Sequence, residues 1–355
     1  MSPYSTLLAV MRSDASEAAR SAGEASWPGR ELKMVHHRGL AAVIETGTST
    51  SAIGKLWART DPEAKGRAAR DLVARQRTFE AFARVGTVLP ALPNQGVTPL
   101  CAEMALAGGY DGLRETLAEL DGRVQYQITV EWAPDAVLTA FRDAPELAPI
   151  FADGAAIGAG ALVSAVAALR GRLASAHVAA LEAVVEDCVA LPCTEEELLV
   201  NVVVLTRSDA VTALEAALEA IDETWSEGYT IRMIGPSPAV SFSAIALEPI
   251  TRRDVLRAEM ALDTPADADV GEITRQLAAR VAGLQRADLD AAETDELEAQ
   301  IVSARLLRRI ATHRAVLGAA GFEVDPWDVP LLRLHREGEA EPRPLGTPRR
   351  RESAA

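Results

Sequence analysis

The sequence predicts an α+β protein with two mixed units of strands and helices, then a helical C-terminal region and a disordered tail. Three observations predict it. Val200 to Leu205 is a short, nearly continuous β-branched run, as in a strand buried on both faces; Val211, Leu214, Leu218, Ile221 and Trp225 then recur at spacings of three and four, one apolar helix stripe. Val124, Tyr126, Ile128, Val130 and Trp132 alternate with Gln125, Gln127, Thr129 and Glu131, the period of a half-buried strand. After Glu248 only helical spacing remains.

Composition narrows the function classes. At 355 residues the chain exceeds one ordinary core, so two or three domains are expected. Hydrophobic residues make up 48% and aromatics only 4%, which favours helices packed through small residues over stacking platforms for nucleic acid. A net charge of −15 and a pI near 4.9 argue against DNA, RNA or an anionic membrane as partner. Lysine occurs only at Lys33, Lys55 and Lys65, so arginine carries most of the positive charge. Met1 to Ala9 lacks a charged start and a long apolar run, and no apolar stretch reaches about 18 residues, so neither a secretory signal nor a membrane span is expected. Cys101, Cys188 and Cys193 are odd in number and lack metal spacing, the pattern of reduced cytoplasmic thiols.

Tyr4 to Met11 reads as a first strand and Asp14 to Gly23 as a short alanine-rich helix. Leu32 to His36 and Leu40 to Glu45 are two strands around an Arg38-Gly39 turn, and Thr46 to Ser51 is a polar loop. A helix begins near Gly66, with Ala69, Leu72, Val73, Gln76, Phe79 and Ala83 on its apolar face. Gly86 to Leu89 follows as a strand stopped by Pro90 and Pro93. The order β-α-β-β-α-β is that of a ferredoxin-like unit, expected over residues 1–105.

The second ferredoxin-like unit is expected over residues 106–250. Leu113, Leu117 and Leu120 mark a short helix, and Ala161 to Val189 is mostly helical up to Leu191-Pro192. Asp209 precedes the 211–225 stripe, which ends near Gly228. Tyr229 to Ile234 is a strand broken by Gly235, Pro236, Ser237 and Pro238, and Ser241 to Leu247 is a third strand of the same sheet. Arg252–Leu262, Val270–Leu284 and Glu293–Leu317 make the helical region of residues 251–335. Residues 336–355, rich in Pro, Glu and Arg, form the disordered tail.

Gly235-Pro236-Ser237-Pro238-Ala239-Val240-Ser241-Phe242 resembles the Gly-Pro-x-Pro-Pro-Tyr-Ser-Phe signature of the GvpL/GvpF family of gas vesicle proteins. Gly235, Pro236, Pro238, Ser241 and Phe242 match, and Ala239 and Val240 replace the Pro-Tyr pair. Val88-Leu89-Pro90 also matches, in a Val-Leu-Pro-x-Arg pattern where Leu92 replaces the arginine. The resemblance covers roughly residues 3–248 in element order. It implies a cytoplasmic, non-enzymatic accessory or minor component of gas vesicle assembly. Such a component contacts the shell-forming protein and other accessory proteins, with no cofactor, nucleic acid or membrane. The C-terminal helices resemble a J-domain through Ala258-Glu259-Met260-Ala261-Leu262, Glu272-Ile273-Thr274-Arg275 and Arg308-Arg309-Ile310, without its His-Pro-Asp. The alternatives are therefore a co-chaperone of a DnaK-type chaperone or a small-ligand enzyme on a ferredoxin-like scaffold.

No catalytic or metal constellation stands out. His36 and His37 are adjacent in a strand and point to opposite faces, so they cannot grip one metal together. His177, His313 and His335 read as ordinary surface residues. Gly154, Gly158 and Gly160 lack phosphate-loop spacing and a following lysine, so a helix start explains them. Cys188 and Cys193 lack the second pair of a zinc knuckle. Glu195-Glu196-Glu197 reads as a solvated loop and Arg349-Arg350-Arg351 as a basic end of the tail.

Overall fold

The computed structural model describes residues 5–46, 62–93, 95–152, 159–248, 250–284 and 291–337. They form two compact units. One takes the described residues up to Ala118 together with Ala244–His335; the other takes Glu119–Ser243 with Arg336 and Glu337. The sequence reading puts boundaries at residues 105 and 250; the described chain passes from one unit to the other at 118/119, 243/244 and 335/336. Ala244–His335 groups with the N-terminal residues, and Arg336 and Glu337 group with the second unit.

The first unit opens with β1 (Ser5–Arg12), α1 (Ser16–Ser26), β2 (Leu32–His37), β3 (Leu40–Glu45), α2 (Pro62–Ala83) and β4 (Val88–Pro90). The sheet order is β2-β3-β1-β4, with every neighbouring pair antiparallel, and β5 (Gly96–Val97) also pairs with β1. This is the split β-α-β arrangement of a ferredoxin-like fold. Arg38, at φ 51°, makes the tight turn between β2 and β3. The helices pack on one face, where Leu8, Met11, Leu32, Val43, Phe79 and Phe82 form a core. Gly23 lets α1 approach, since a Cβ there would lie 2.6 Å from both Leu32 Cδ1 and Phe82 Cε1.

One expectation fails on α2. Leu72 and Val73 are exposed, at 67% and 52%, and Phe82 takes the core position instead. A polar residue explains the shift. Thr78 is fully buried because its hydroxyl donates to Ala74 O at 2.9 Å and lies 3.1 Å from Ser26 Oγ. Once its hydrogen bonds are satisfied a hydroxyl can be buried at little cost, so the buried stripe does not follow apolar residues alone.

α3 (Pro99–Gly108) and α4 (Tyr110–Glu119) follow, with Thr98 capping α3 by accepting from Cys101 N at 3.1 Å. The C-terminal part of this unit holds β10 (Ala244–Glu248), α9 (Arg252–Leu262), α10 (Val270–Leu284), α11 (Ala291–Ala319) and β11 (Leu331–His335). β10 does not complete the second unit's sheet. It pairs with β11, and Ile245 O accepts from Leu92 N at 2.8 Å, just past β4. Gln95 Oε1 accepts from Leu247 N at 2.8 Å. The β10–β11 ladder is thereby stitched to the edge of the N-terminal sheet. Val255, Leu262, Ile273, Leu307, Ile310 and Leu331 share one core with Ala107 of α3.

The second unit repeats the first topology. Its elements are β6 (Arg123–Trp132), α5 (Pro134–Ala140), α6 (Ala148–Ala152), α7 (Ala159–Glu182), β7 (Asp187–Ala190), β8 (Leu198–Arg207), α8 (Val211–Thr224) and β9 (Tyr229–Ser237). The order is β7-β8-β6-β9, again antiparallel throughout. β7 lies inside the stretch read as helix up to Val189. It pairs Cys188 with Val204 and Val189 with Val203, supplying the strand that a ferredoxin-like order requires. Tyr126, Ile128, Val130, Trp132, Leu169, Leu181, Leu214 and Ile221 build the core between sheet and helices.

Candidate functional site

The segment from Ile234 to Phe242 carries the longer family-like motif, and the fold holds it at the end of an edge strand. Among the described residues β9 pairs only with β6, so it forms one border of its sheet. The strand does not stop at Gly235 as the prolines suggested; it continues to Ser237 through a bulge. Gln127 faces Ile234 and Gln125 faces Ser237, so Gly235 and Pro236 share the space opposite Tyr126. Gly235 has φ 150°, and a Cβ on it would lie 2.6 Å from Tyr126 Cδ1 and 2.8 Å from Gln125 O. Only glycine fits there. The Gly235–Pro236 peptide is cis.

Beyond the bulge the chain is clamped. The buried Gln125 side chain accepts from Ser241 N at 3.0 Å, and Ser241 O accepts from Glu337 N at 2.9 Å. Phe242 is 9% exposed, and the Arg336 guanidinium lies 5.6 Å from its ring centroid. Arg336 also donates to Asp187 of β7 at 2.7 Å. Pro238 and Ala239 are buried, while Ile234 is 62% exposed and Gly235 and Pro236 face solvent. Pro238, Ser241 and Phe242 therefore shape the segment, and Ile234-Gly235-Pro236 is what it presents.

Val88, Leu89 and Pro90, the other matching residues, belong to the other unit. They form β4, all three buried, with Val88 and Leu89 opposite Met11 and Val10 of β1. Leu92 stands where the family pattern has arginine. Arg75 of α2 donates to Ala91 O at 2.7 Å. Burial lowers the pKa of Arg75 and raises that of Glu45, the latter against the pull of Arg30 at 2.6 Å. Nothing in the spacing of Arg75 along α2 marks this role.

The remaining candidates fall to structural roles. His177 is not a surface residue: it is 5% exposed, and its Nε2 lies 3.0 Å from the Tyr229 hydroxyl. His313 is half-buried, with Nδ1 3.0 Å from Arg309 O. Burial lowers the pKa of both. His37 meets the Tyr110 ring edge-on at 6.2 Å. The Cys188 thiol is pushed up to about 11 by burial, with Glu182 and Asp187 adding to the shift; Cys193 is exposed. The Glu195–Glu197 run offers its backbone, since Glu196 O accepts from Trp132 Nε1 at 3.0 Å and Glu197 O from Trp132 N at 2.8 Å. Gly160 lies in α7. Gly154, Gly158, residues 285–289 between the J-domain-like helices and Arg349–Arg351 lie outside the described residues, as does most of the Thr46–Ser51 loop. Among the described residues no group of three His, Cys, Asp or Glu is placed to hold a metal ion, and no helix is long and apolar enough to cross a membrane.

The sequence matches the family described as gas vesicle synthesis protein GvpL/GvpF over residues 7–244, more than half of the chain. No curated protein matches it. Among solved structures it is similar to the gas vesicle protein GvpF from Anabaena sp. PCC7120, with 14% identity and a TM-score of 0.48. It is also similar to GvpF from Microcystis aeruginosa, with 12% identity and a TM-score of 0.46. Each similarity covers 68% of this chain and 98% of the other.

Proposed function

The chain belongs to the GvpL/GvpF family of gas vesicle synthesis proteins, and from that premise we propose that it is a non-catalytic accessory component of gas vesicle assembly. In this reading it acts in the cytoplasm and at the vesicle, where it binds the shell-forming protein and other vesicle proteins. The family match over residues 7–244 carries the proposal. A subunit that lines a gas space must present an apolar face, and before incorporation that face is an aggregation hazard. A binder that covers it keeps the subunit available for assembly.

The β9 edge is the proposed contact. An edge strand offers unpaired N–H and C=O groups to an incoming strand, and the exposed Ile234 adds an apolar contact beside them. The buried motif residues hold that edge in shape. Binding of this kind survives at about 1 M salt, where exposed charge pairs are screened. Co-purification of the full chain with the small shell protein at about 0.1 M and about 1 M salt tests it. Capture is expected at both, and Ile234→Asp is expected to weaken it while leaving the circular dichroism spectrum unchanged. Ile234 is a better probe than Phe242, whose burial makes substitution a test of folding. Failure to capture any vesicle protein at either salt, or normal vesicles after deletion of the gene, would overturn the reading.

A further inference from the structure

The exposed face of α9 has the pattern of a docking surface. Arg253, Leu256, Arg257 and Met260 stand at i, i+3, i+4 and i+7, hence on one face of the helix. All four are exposed, Leu256 to 46% and Met260 to 83%. The opposite face, with Val255, Ala258 and Leu262, is spent on the core shared with α11. Neither arginine has an ion-pair partner among the described residues. Two apolar side chains framed by two unpaired cations are unusual on a chain of net charge −15. They call for an occupant that is acidic and flat.

The same chain carries such a surface. Glu215, Glu219 and Glu223 of α8 repeat at i and i+4, and Ala216 and Ala220 lie between them. All five are exposed, and none of the three carboxylates has an ion-pair partner among the described residues. The alanines leave shallow wells that admit Leu256 and Met260, and the Arg253–Arg257 spacing equals that of successive glutamates.

We propose that α9 of one copy docks on α8 of a second copy. The contact is heterologous, because the two faces differ, so it joins copies head to tail. One helix laid on another is a small interface, and the like net charges of the copies oppose it. Association is therefore weak and grows with concentration.

Sedimentation velocity of the full chain from about 5 to about 200 µM, in about 0.1 M salt, reads this directly. The average sedimentation coefficient is expected to rise with concentration. The double variant Arg253→Glu/Arg257→Glu is expected to stay monomeric, and so is Glu219→Arg/Glu223→Arg. An equimolar mixture of the two is expected to associate again, since each reversed face then meets its complement. These positions are exposed, and circular dichroism checks that both variants fold. A wild-type chain that remains monomeric throughout overturns the proposal. Association that neither double variant reduces, or a mixture that fails to restore it, overturns it too. The shell-binding experiment with Ile234→Asp reads a different surface, so either result can fail without the other.

Discussion

Gly235 shows how one position can fix a motif. Its φ of 150° lies where side chains are disfavoured, and the Tyr126 ring and the Gln125 carbonyl occupy the space a Cβ would need. A Gly235→Ala substitution must move either the β6 backbone or the bulge. Both carry core residues on the same strands, so the expected loss is about 1–3 kcal/mol, the scale of enforced backbone strain. Urea unfolding of both proteins followed by tryptophan fluorescence measures it, and an unchanged midpoint would contradict the packing described. Gly235 was legible as special from its neighbours Pro236 and Pro238. That the strand runs on to Ser237 was not, because the bulge depends on Tyr126 across the ladder, more than a hundred residues away in sequence. The Gln125 clamp was hidden for a similar reason. A glutamine in an alternating strand reads as solvent-facing, yet this one is buried because Ser241 N reaches it.

At the scale of elements, strands with strong period-two or β-branched patterns were legible, while β7 and β11 were not. β6 and β8 pair antiparallel in one sheet, and Val124–Trp132 and Val200–Leu205 were expected to share a sheet. β7 was missed, since Asp187-Cys188-Val189-Ala190 is too short to show a period and follows a long alanine-rich helix. The contact between α7 and β9 contains the buried His177–Tyr229 pair, and it sets a pH dependence. Burial lowers the His177 pKa below the value near 6.5 that the unfolded chain has. The unfolded state thus binds more protons just below about pH 6.5, so stability is full above that pH and is lost as pH falls toward the folded pKa. His313 is shifted the same way by burial and adds to the loss; Glu45, raised by burial, works against it in the more acidic range. Urea unfolding at about pH 7.5 and about pH 5.5 is expected to show lower stability at the acidic pH. His177→Gln keeps a polar group for Tyr229 without titrating, so it is expected to reduce that difference, leaving the share that His313 contributes. An unaltered slope in the variant would remove His177 as a cause.

For the whole molecule, the family match ends at residue 244, and the fold does not. β10 begins at Ala244, but its ladder partner β11 lies beyond three helices, and Ile245 is fully buried. Sequence periodicity made the C-terminal helices look like a separate appendage. The long return of β11 to β10 leaves no local pattern, because Leu331-Leu332-Arg333-Leu334-His335 alternates too weakly to read as a strand. A protein truncated after Glu248 keeps every residue of the family match, yet it loses the cover over Ala107, Ile245 and the partly buried Met104. Uncovering large apolar side chains costs about 1.5–3 kcal/mol each, so the first unit loses roughly 3–6 kcal/mol. That is a large part of the total of about 5–15 kcal/mol typical of a folded protein. The truncated chain is therefore expected to bind a hydrophobic dye and to unfold at lower urea than the full chain. It also loses Arg336 and Glu337, which anchor Phe242 and Ser241, so the second unit should be weakened as well. Adding Arg336→Ala to the full chain separates the two effects: it removes the ring contact and the Asp187 ion pair while leaving β11 in place. If the truncated protein unfolds at the same urea concentration as the full chain, the C-terminal helices are dispensable cover, and the joint core described for them does not hold the first unit together.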